Sequence, residues 1–199
     1  MKKIHILSAA ALAALLALTG CKDSTQATGE AAKAAAPAAP VSIPAISTEA
    51  KGFTVGSTMS VRTVYVFFDP QCPHCSALWV AARPLRSQAK FVWIPVGLIN
   101  AASVSQGAAL LAAADPAAAM DQHEASMTQK QGGITATGSL DAQKAEVEAN
   151  TKLMNRFQFG SVPTIVAKHA VTGDLVVQEG SMPTASLANV LGLQVPAGN

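Results

Sequence analysis

In "VYVFFDPQCPHCSALW", residues 64–79, two cysteines stand three positions apart just past an apolar run. The run begins earlier, in "MSVRTVYVFF" (59–68), rich in β-branched and aromatic residues and too apolar to keep one face in water. It predicts a buried central strand. "PHCSALWVAARPLRSQ" (73–88) predicts a helix that tolerates Pro73 in its first turn and sets Leu78, Ala82 and Leu85 on one face. Pro84 is expected to kink or end it. Cys72 and Cys75 then stand at the mouth of a helix, about 5–6 Å apart and within the window a disulfide demands.

Outward from this segment, "KFVWIPVGLI" (90–99) predicts a second strand. The β-α-β order favours a parallel pair with a right-handed crossover. "SVSQGAALLAAADPAAAMDQHEASM" (103–127) can supply two short helices broken at Asp115-Pro116, and "QKQGGITATG" (129–138) a loop. "SLDAQKAEVEANTKLMNRF" (139–157) predicts another helix, with Ala142, Ala145, Ala149, Leu153 and Phe157 along one side. "SVPTIVAKH" (161–169), a turn at "TGD" and "LVVQEG" (175–180) predict an antiparallel hairpin, and "PTASLANVLG" (183–192) a closing helix. The order is β-α-β, helical insertion, β-β-α. That is an α/β chain with a thioredoxin fold, a central sheet flanked by helices, interrupted by a helical insertion.

The chain has 199 residues, half of them apolar and 13% charged, with a formal charge of +2. This suits one domain plus appendages, and the lack of a Lys/Arg cluster gives no sign of nucleic-acid binding. Residues 1–20 read as a leader: Lys2 and Lys3, then "IHILSAAALAALLALTG", an apolar run short for a membrane span. "LALTGC" matches a lipobox, with Cys21 the lipidated residue that anchors the mature chain to the inner or outer membrane. Residues 21–48 then read as a low-complexity Ala/Pro tether, and 49–199 as the folded domain.

With Cys21 spent on lipid, Cys72 and Cys75 are the pair left for an exported domain. Their disulfide would close a four-residue loop, and so short a loop constrains the unfolded chain little. Reactivity explains the pair better than stability does. Unpaired N–H groups and the positive helix end favour a thiolate on Cys72, with Cys75 one turn in as the resolving thiol. His74 adds a hydrogen bond or partial positive charge. A fall of the Cys72 pKa to about 4 would stabilise the reduced form at pH 7 by roughly 4 kcal/mol, about 90 mV.

A zinc site would need two further ligands, and His123 and His169 stand far along the chain without metal-ligand spacing. No metal is expected, and both histidines are expected at the surface; His5 falls in the leader. Trp79 and Trp93 read as core or groove-wall residues. No cofactor is needed beyond the redox-active Cys72–Cys75 disulfide.

"SVPT" (161–164) puts a proline at a strand start, where it cannot donate to the ladder. Facing a CxxC in this fold, Val162-Pro163 is expected to be a cis peptide whose exposed backbone pairs with a substrate chain. Val162, Pro163 and Thr164 are the expected groove.

From about Lys51 to Leu193 the chain resembles the DsbC/DsbG family of periplasmic thiol:disulfide interchange proteins, on "VYVFFDPQCPHC", "WIPVGLI", "GAALLAAADP", "NTKLMNRFQFGSVPTIV" and "GSMPTASLANVLG". The resemblance implies a DsbG-like catalytic domain with Cys72 as nucleophile, Cys75 as resolving thiol and Val162-Pro163 as the cis-proline loop. Family members usually carry an N-terminal dimerisation domain; here the tether and lipobox stand in its place, so a monomer is expected. Pro73-His74 and Val162 resemble the oxidase DsbA more than DsbG. The buried carboxylate that thioredoxins keep six residues before the nucleophile is replaced by Val66; Asp69 is the candidate substitute, or a turn cap. The implied partners are client proteins with cysteines and a membrane electron-transfer protein. That protein is a DsbD-like donor if the domain reduces or isomerises, the slightly favoured direction, or a DsbB-like acceptor if it oxidises. A lipoprotein that merely binds a partner, with redox-sensitive cysteines, is the alternative outside enzymology.

Overall fold

The computed structural model describes residues 39–195. The leader, Cys21 and the first part of the tether lie outside the described residues.

Five strands form one sheet: β1 (Phe53–Gly56), β2 (Thr63–Phe68), β3 (Lys90–Pro95), β4 (Thr164–Lys168) and β5 (Leu175–Glu179), in the order β1-β3-β2-β4-β5. β2 and β3 run parallel, and every other pairing is antiparallel. Among the described residues six helices accompany them: α1 (Ile43–Glu49), α2 (Pro73–Ala82), α3 (Ala101–Ala112), α4 (Pro116–Thr128), α5 (Asp141–Arg156) and α6 (Thr184–Leu191). The β-α-β and β-β-α halves and the intervening helices α3 to α5 follow the expected order.

Period two explains why β2 is central. Val64, Val66 and Phe68 point into one core with Leu78, Trp79, Trp93 and Leu187, while Tyr65 and Phe67 point into another with Ile94, Leu153 and Phe157. α2 and α6 cover the first face, and α1 and α5 the second. Both tryptophans are core residues, their rings meeting edge to face with centroids 5.0 Å apart.

Several boundaries differ from expectation. Met59 and Val61 are more than nine-tenths exposed, so β2 begins only at Thr63. β1 was not expected as a strand, although Phe53 and Val55 alternate inward over its four residues. β3 stops at Pro95, and residues 96–99 leave the sheet. Pro84 ends α2: lacking an N–H and crowding the carbonyl four residues back, it leaves a three-residue 3₁₀ turn at Arg83–Leu85. On α5 the alanines at 142, 145 and 149 are exposed, and the buried face is Val147, Asn150, Leu153 and Met154. Alanine has little area to bury, so Val, Leu and Met set the rotation of the helix.

The tether boundary also moves. Ser42 caps α1, Ile46 is fully buried, and Glu49 takes a two-pronged hydrogen bond from Arg156 on α5 at 2.8 and 2.7 Å. Ala39 N–H donates to the Arg156 carbonyl as well. Residues 39–48 are thus packed on the domain rather than part of a solvated leash.

Candidate active site

Cys72 occupies the N-cap position of α2, with φ −93° and ψ 115°, and Pro73 follows as the first helical residue. An ordinary cap side chain would satisfy the free N–H groups of the first turn; a thiol does so weakly. Those donors are left for a sulfur anion. The Cys75 thiol donates to the Cys72 sulfur, and the backbone N–H groups of Cys75 and His74 act in the same sense. Together they outweigh the cost of burial and hold Cys72 down at about 6. A charge on His74, which is exposed, helps least. Its weight is smaller than the dipeptide suggested.

Cys75 is the opposite case. Fully buried, and donating its proton to Cys72, it is pushed far above the ordinary thiol range, first by burial and then by Cys72. Both cysteines are free thiols in this structure. One sulfur is a thiolate at neutral pH and its neighbour keeps a proton. At pH 7 a Cys72 thiol at about 6 stabilises the reduced form by on the order of 1 kcal/mol after allowance for solvent at the sulfur, roughly 20 mV. That is well short of the 90 mV expected from a pKa near 4.

Across from the sulfur, the Val162-Pro163 peptide is cis and the Val162 carbonyl oxygen lies 3.5 Å from Cys72 Sγ. The Pro163 carbonyl accepts from Gly180 N–H at 2.8 Å, which joins this loop to the end of β5. Thr164 departs from its expected place in the groove. It is fully buried, and its hydroxyl donates to the Ser161 carbonyl at 2.6 Å, so it shapes the loop from within.

Asp69 sits just past β2 and is fully buried. Its Oδ1 accepts from Gln71 N–H at 2.8 Å, and its Oδ2 from Leu98 N–H at 2.7 Å and Ile99 N–H at 3.0 Å. All three donors are backbone groups. The carboxylate therefore caps the turn into the CxxC and ties it to the segment after β3.

The support beneath the turn comes from residues that were not expected to contribute. His123, expected at the surface, is fully buried on α4: its Nε2 lies 2.7 Å from the Pro70 carbonyl and its Nδ1 accepts from Ile134 N–H. With Nδ1 accepting, Nε2 carries the proton and donates to Pro70. Gln71 and Gln106 hydrogen-bond through their side chains, and Gln106 donates onward to the Gly132 carbonyl at 2.7 Å. The helical insertion is thus stitched to the CxxC loop. One signal was available: Met120, His123, Glu124 and Met127 recur at helical spacing, the pattern of an inward face. His169 is half-buried and accepts from Thr172 N–H in the β4–β5 turn, away from Cys72. A surface cavity between α3, α4 and the loop before α5 is lined by Ala, Gln, Thr, Ser, Ile and Leu side chains, with no thiol or titratable group in that lining.

A five-stranded mixed sheet, a CxxC at a helix mouth and a cis-proline loop facing it place the chain among thioredoxin-like proteins with a paired-cysteine site. A solved periplasmic thioredoxin-like protein from Salmonella enterica serovar Typhimurium superposes on 77% of this chain and 97% of its own, with a TM-score of 0.59 at 15% identity. More specifically, the domain is DsbG-like. It is 34% identical over 140 residues to the thiol:disulfide interchange protein DsbG of Pseudomonas aeruginosa, across 69% of this chain and 54% of that protein. It is 36% identical over 104 residues to DsbG of Escherichia coli, across 51% of this chain and 42% of that protein. The chain spans about half the length of these relatives. No family model matches it.

Proposed function

We propose that this domain exchanges disulfides with client proteins in the bacterial periplasm, using Cys72 as nucleophile and Cys75 as resolving thiol. One observation carries the reading: two thiols a single turn apart are driven in opposite directions, Cys72 down to about 6 and Cys75 up by burial. A nucleophile must be ionised, and a resolving thiol must wait. The Cys72 thiolate attacks a client disulfide, a mixed disulfide forms beside the Val162 carbonyl, and Cys75 then displaces the client.

The modest stabilisation of the thiolate favours the reducing or isomerising direction, since a strong oxidant needs a reduced form held lower still. A membrane electron donor of the DsbD kind would keep the pair reduced. Cys21, lipidated, would hold the domain at the membrane; among the described residues no helix is long and apolar enough to cross one.

The test is to trap the thiols of Cys72 and Cys75 in cells with an alkylating mass tag, and to assay insulin reduction with the Cys72→Ser and Cys75→Ser variants. A mostly reduced pool and loss of activity in both variants is the expected result. A mostly oxidised pool would instead mark a DsbA-like oxidase, recharged by a DsbB-like acceptor. Full complementation of a deletion by both variants would leave no exchange function at all.

A further inference from the structure

Glu124 is a buried carboxyl to which the exchange scheme gives no task. It lies on α4, is 7% exposed, and accepts a hydrogen bond from the Ser76 hydroxyl, one position beyond Cys75. A small pocket is lined by Pro70, Cys72, Pro73 and Ser76 from the CxxC segment and by Glu124 and Met127 from α4. Glu124 is the sole titratable group in that lining besides Cys72 itself. Cys72 and Glu124 thus face one shared pocket.

The surroundings suit proton transfer. Loss of water lifts the Glu124 carboxyl above the usual carboxylate range, Ser76 pulls it back, and the Cys72 thiolate pushes it up again. The other charges facing it are Arg83, at the end of α2, and Asp121, on its own helix; these two are ion-paired and act on it in opposite senses. His123, its neighbour in sequence, is engaged with Pro70 and Ile134 instead.

We propose that Glu124 is the acid–base partner of Cys72, giving a proton to the client sulfur that Cys72 displaces and, in reverse, accepting one from the attacking client thiol. This rests on the exchange reading of the function. In the reducing direction the Cys72 thiolate supplies the electron pair of the new S–S bond. The client disulfide breaks, its pair leaves on the second client sulfur, and that sulfur takes the Glu124 proton. Cys75 then bonds to Cys72, and the first client sulfur departs with the proton that Cys75 gives up. The client gains two electrons and two protons, and the negative charge of Cys72 ends on Glu124 until solvent reprotonates it.

Glu124→Gln keeps the size and a partner for Ser76 but holds no transferable proton. Single-turnover oxidation of the reduced domain is compared with two probes: glutathione disulfide, whose leaving alkyl thiolate needs a proton, and Ellman's reagent, whose aromatic thiolate does not. The variant should slow the glutathione reaction about tenfold or more and leave the aromatic one within about twofold. It should also flatten the alkaline fall of the glutathione rate. Equal slowing on both probes, or none on either, overturns the proposal. As a readout independent of the variant's folding, carboxyl ¹³C NMR should find the Glu124 titration lower in Cys72→Ser than in the wild type; an unmoved titration overturns it too. Should insulin reduction fail while the two-probe selectivity persists, the client-exchange function falls and the Glu124 assignment stands. A Cys72 inert to both probes sinks the two together.

Discussion

The carbonyl oxygen of Val162 faces the sulfur of Cys72 at 3.5 Å, so the proline loop presents that sulfur with an acceptor and not a donor. A neutral thiol can donate to that oxygen, whereas a thiolate cannot. The loop therefore opposes ionisation, and the donors that win come from α2 itself: the Cys75 thiol and the first-turn N–H groups. Once Cys72 is ionised, the Val162 oxygen has no use for the sulfur and is open to an N–H of an incoming chain. On the proposed function, one proton loss would prepare both the attacking sulfur and the edge that meets the client.

That balance sets a pH dependence. Alkylation of Cys72 by iodoacetamide should rise through a midpoint near 6, and Cys75→Ala, which removes the largest stabilising partner, should move the midpoint up. The sign for stability follows, because the folded value is depressed below that of a free thiol. The reduced fold gains on the unfolded chain as pH rises from about 6 to about 9, and loses that gain as pH falls through 6. Denaturation of the reduced and oxidised forms at several pH values checks this. A reduced-minus-oxidised difference that stays flat over that range would contradict it.

Asp69→Asn should destabilise the domain by about 2–4 kcal/mol. The carboxylate satisfies three backbone donors, and an amide puts an NH₂ where either Gln71 or the Leu98–Ile99 pair now donates. Urea denaturation measures the loss. Because the turn into the CxxC would loosen, the Cys72 alkylation midpoint should shift as well. Were the carboxylate a proton carrier and not a cap, activity would drop with stability intact.

Asn150 is a second buried polar pin. Its Nδ2 donates to the Lys51 and Pro95 carbonyls at 2.7 and 3.0 Å, and its Oδ1 accepts from Lys51 N–H at 2.8 Å. Asn150→Ala should cost about 2–4 kcal/mol, since it strands buried backbone groups. Asn150→Asp should cost more at neutral pH, because a carboxylate would face two carbonyl oxygens. Thermal denaturation of the two variants gives the ranking, and an Asp variant as stable as the Ala variant would refute it.

These pins mark where the sequence was legible and where it was not. The strand–CxxC–helix segment could be read because three local signals agree: an apolar run, a proline in a first helical turn and two cysteines one turn apart. The proline loop could be read because a proline at a strand start demands a reason. His123 was harder to read, since the inward spacing of Met120, His123, Glu124 and Met127 on α4 mixes apolar with titratable side chains and passes equally for a wet face. β1 escaped because four residues with two buried side chains fall below any periodicity window. Gln71 and Gln106 meet across 35 residues of chain, and no local pattern distinguishes them from solvated polar side chains. Local chemistry announced the cysteine pair, and only the fold revealed what supports it.

The His123 support should be acid-labile. Burial holds this imidazole below its ordinary value, so it is neutral in the fold, with Nδ1 accepting from Ile134 N–H. A depressed histidine makes the unfolded chain the better proton acceptor, so stability should decline as pH drops below about 6.5. His123→Gln should flatten that decline, as read by urea midpoints at neutral and acid pH. Gly133 tests the same packing from the other side. Its φ is +90°, and an added Cβ would stand 2.5 Å from His123 Cε1. Gly133→Ala should therefore cost about 1–3 kcal/mol through backbone strain and displacement of the ring. In a Gly133→Ala, His123→Gln double variant the ring clash is gone while the φ penalty stays, so the two costs should add to less than their sum. Strict additivity would mean that the ring and the glycine do not touch in solution.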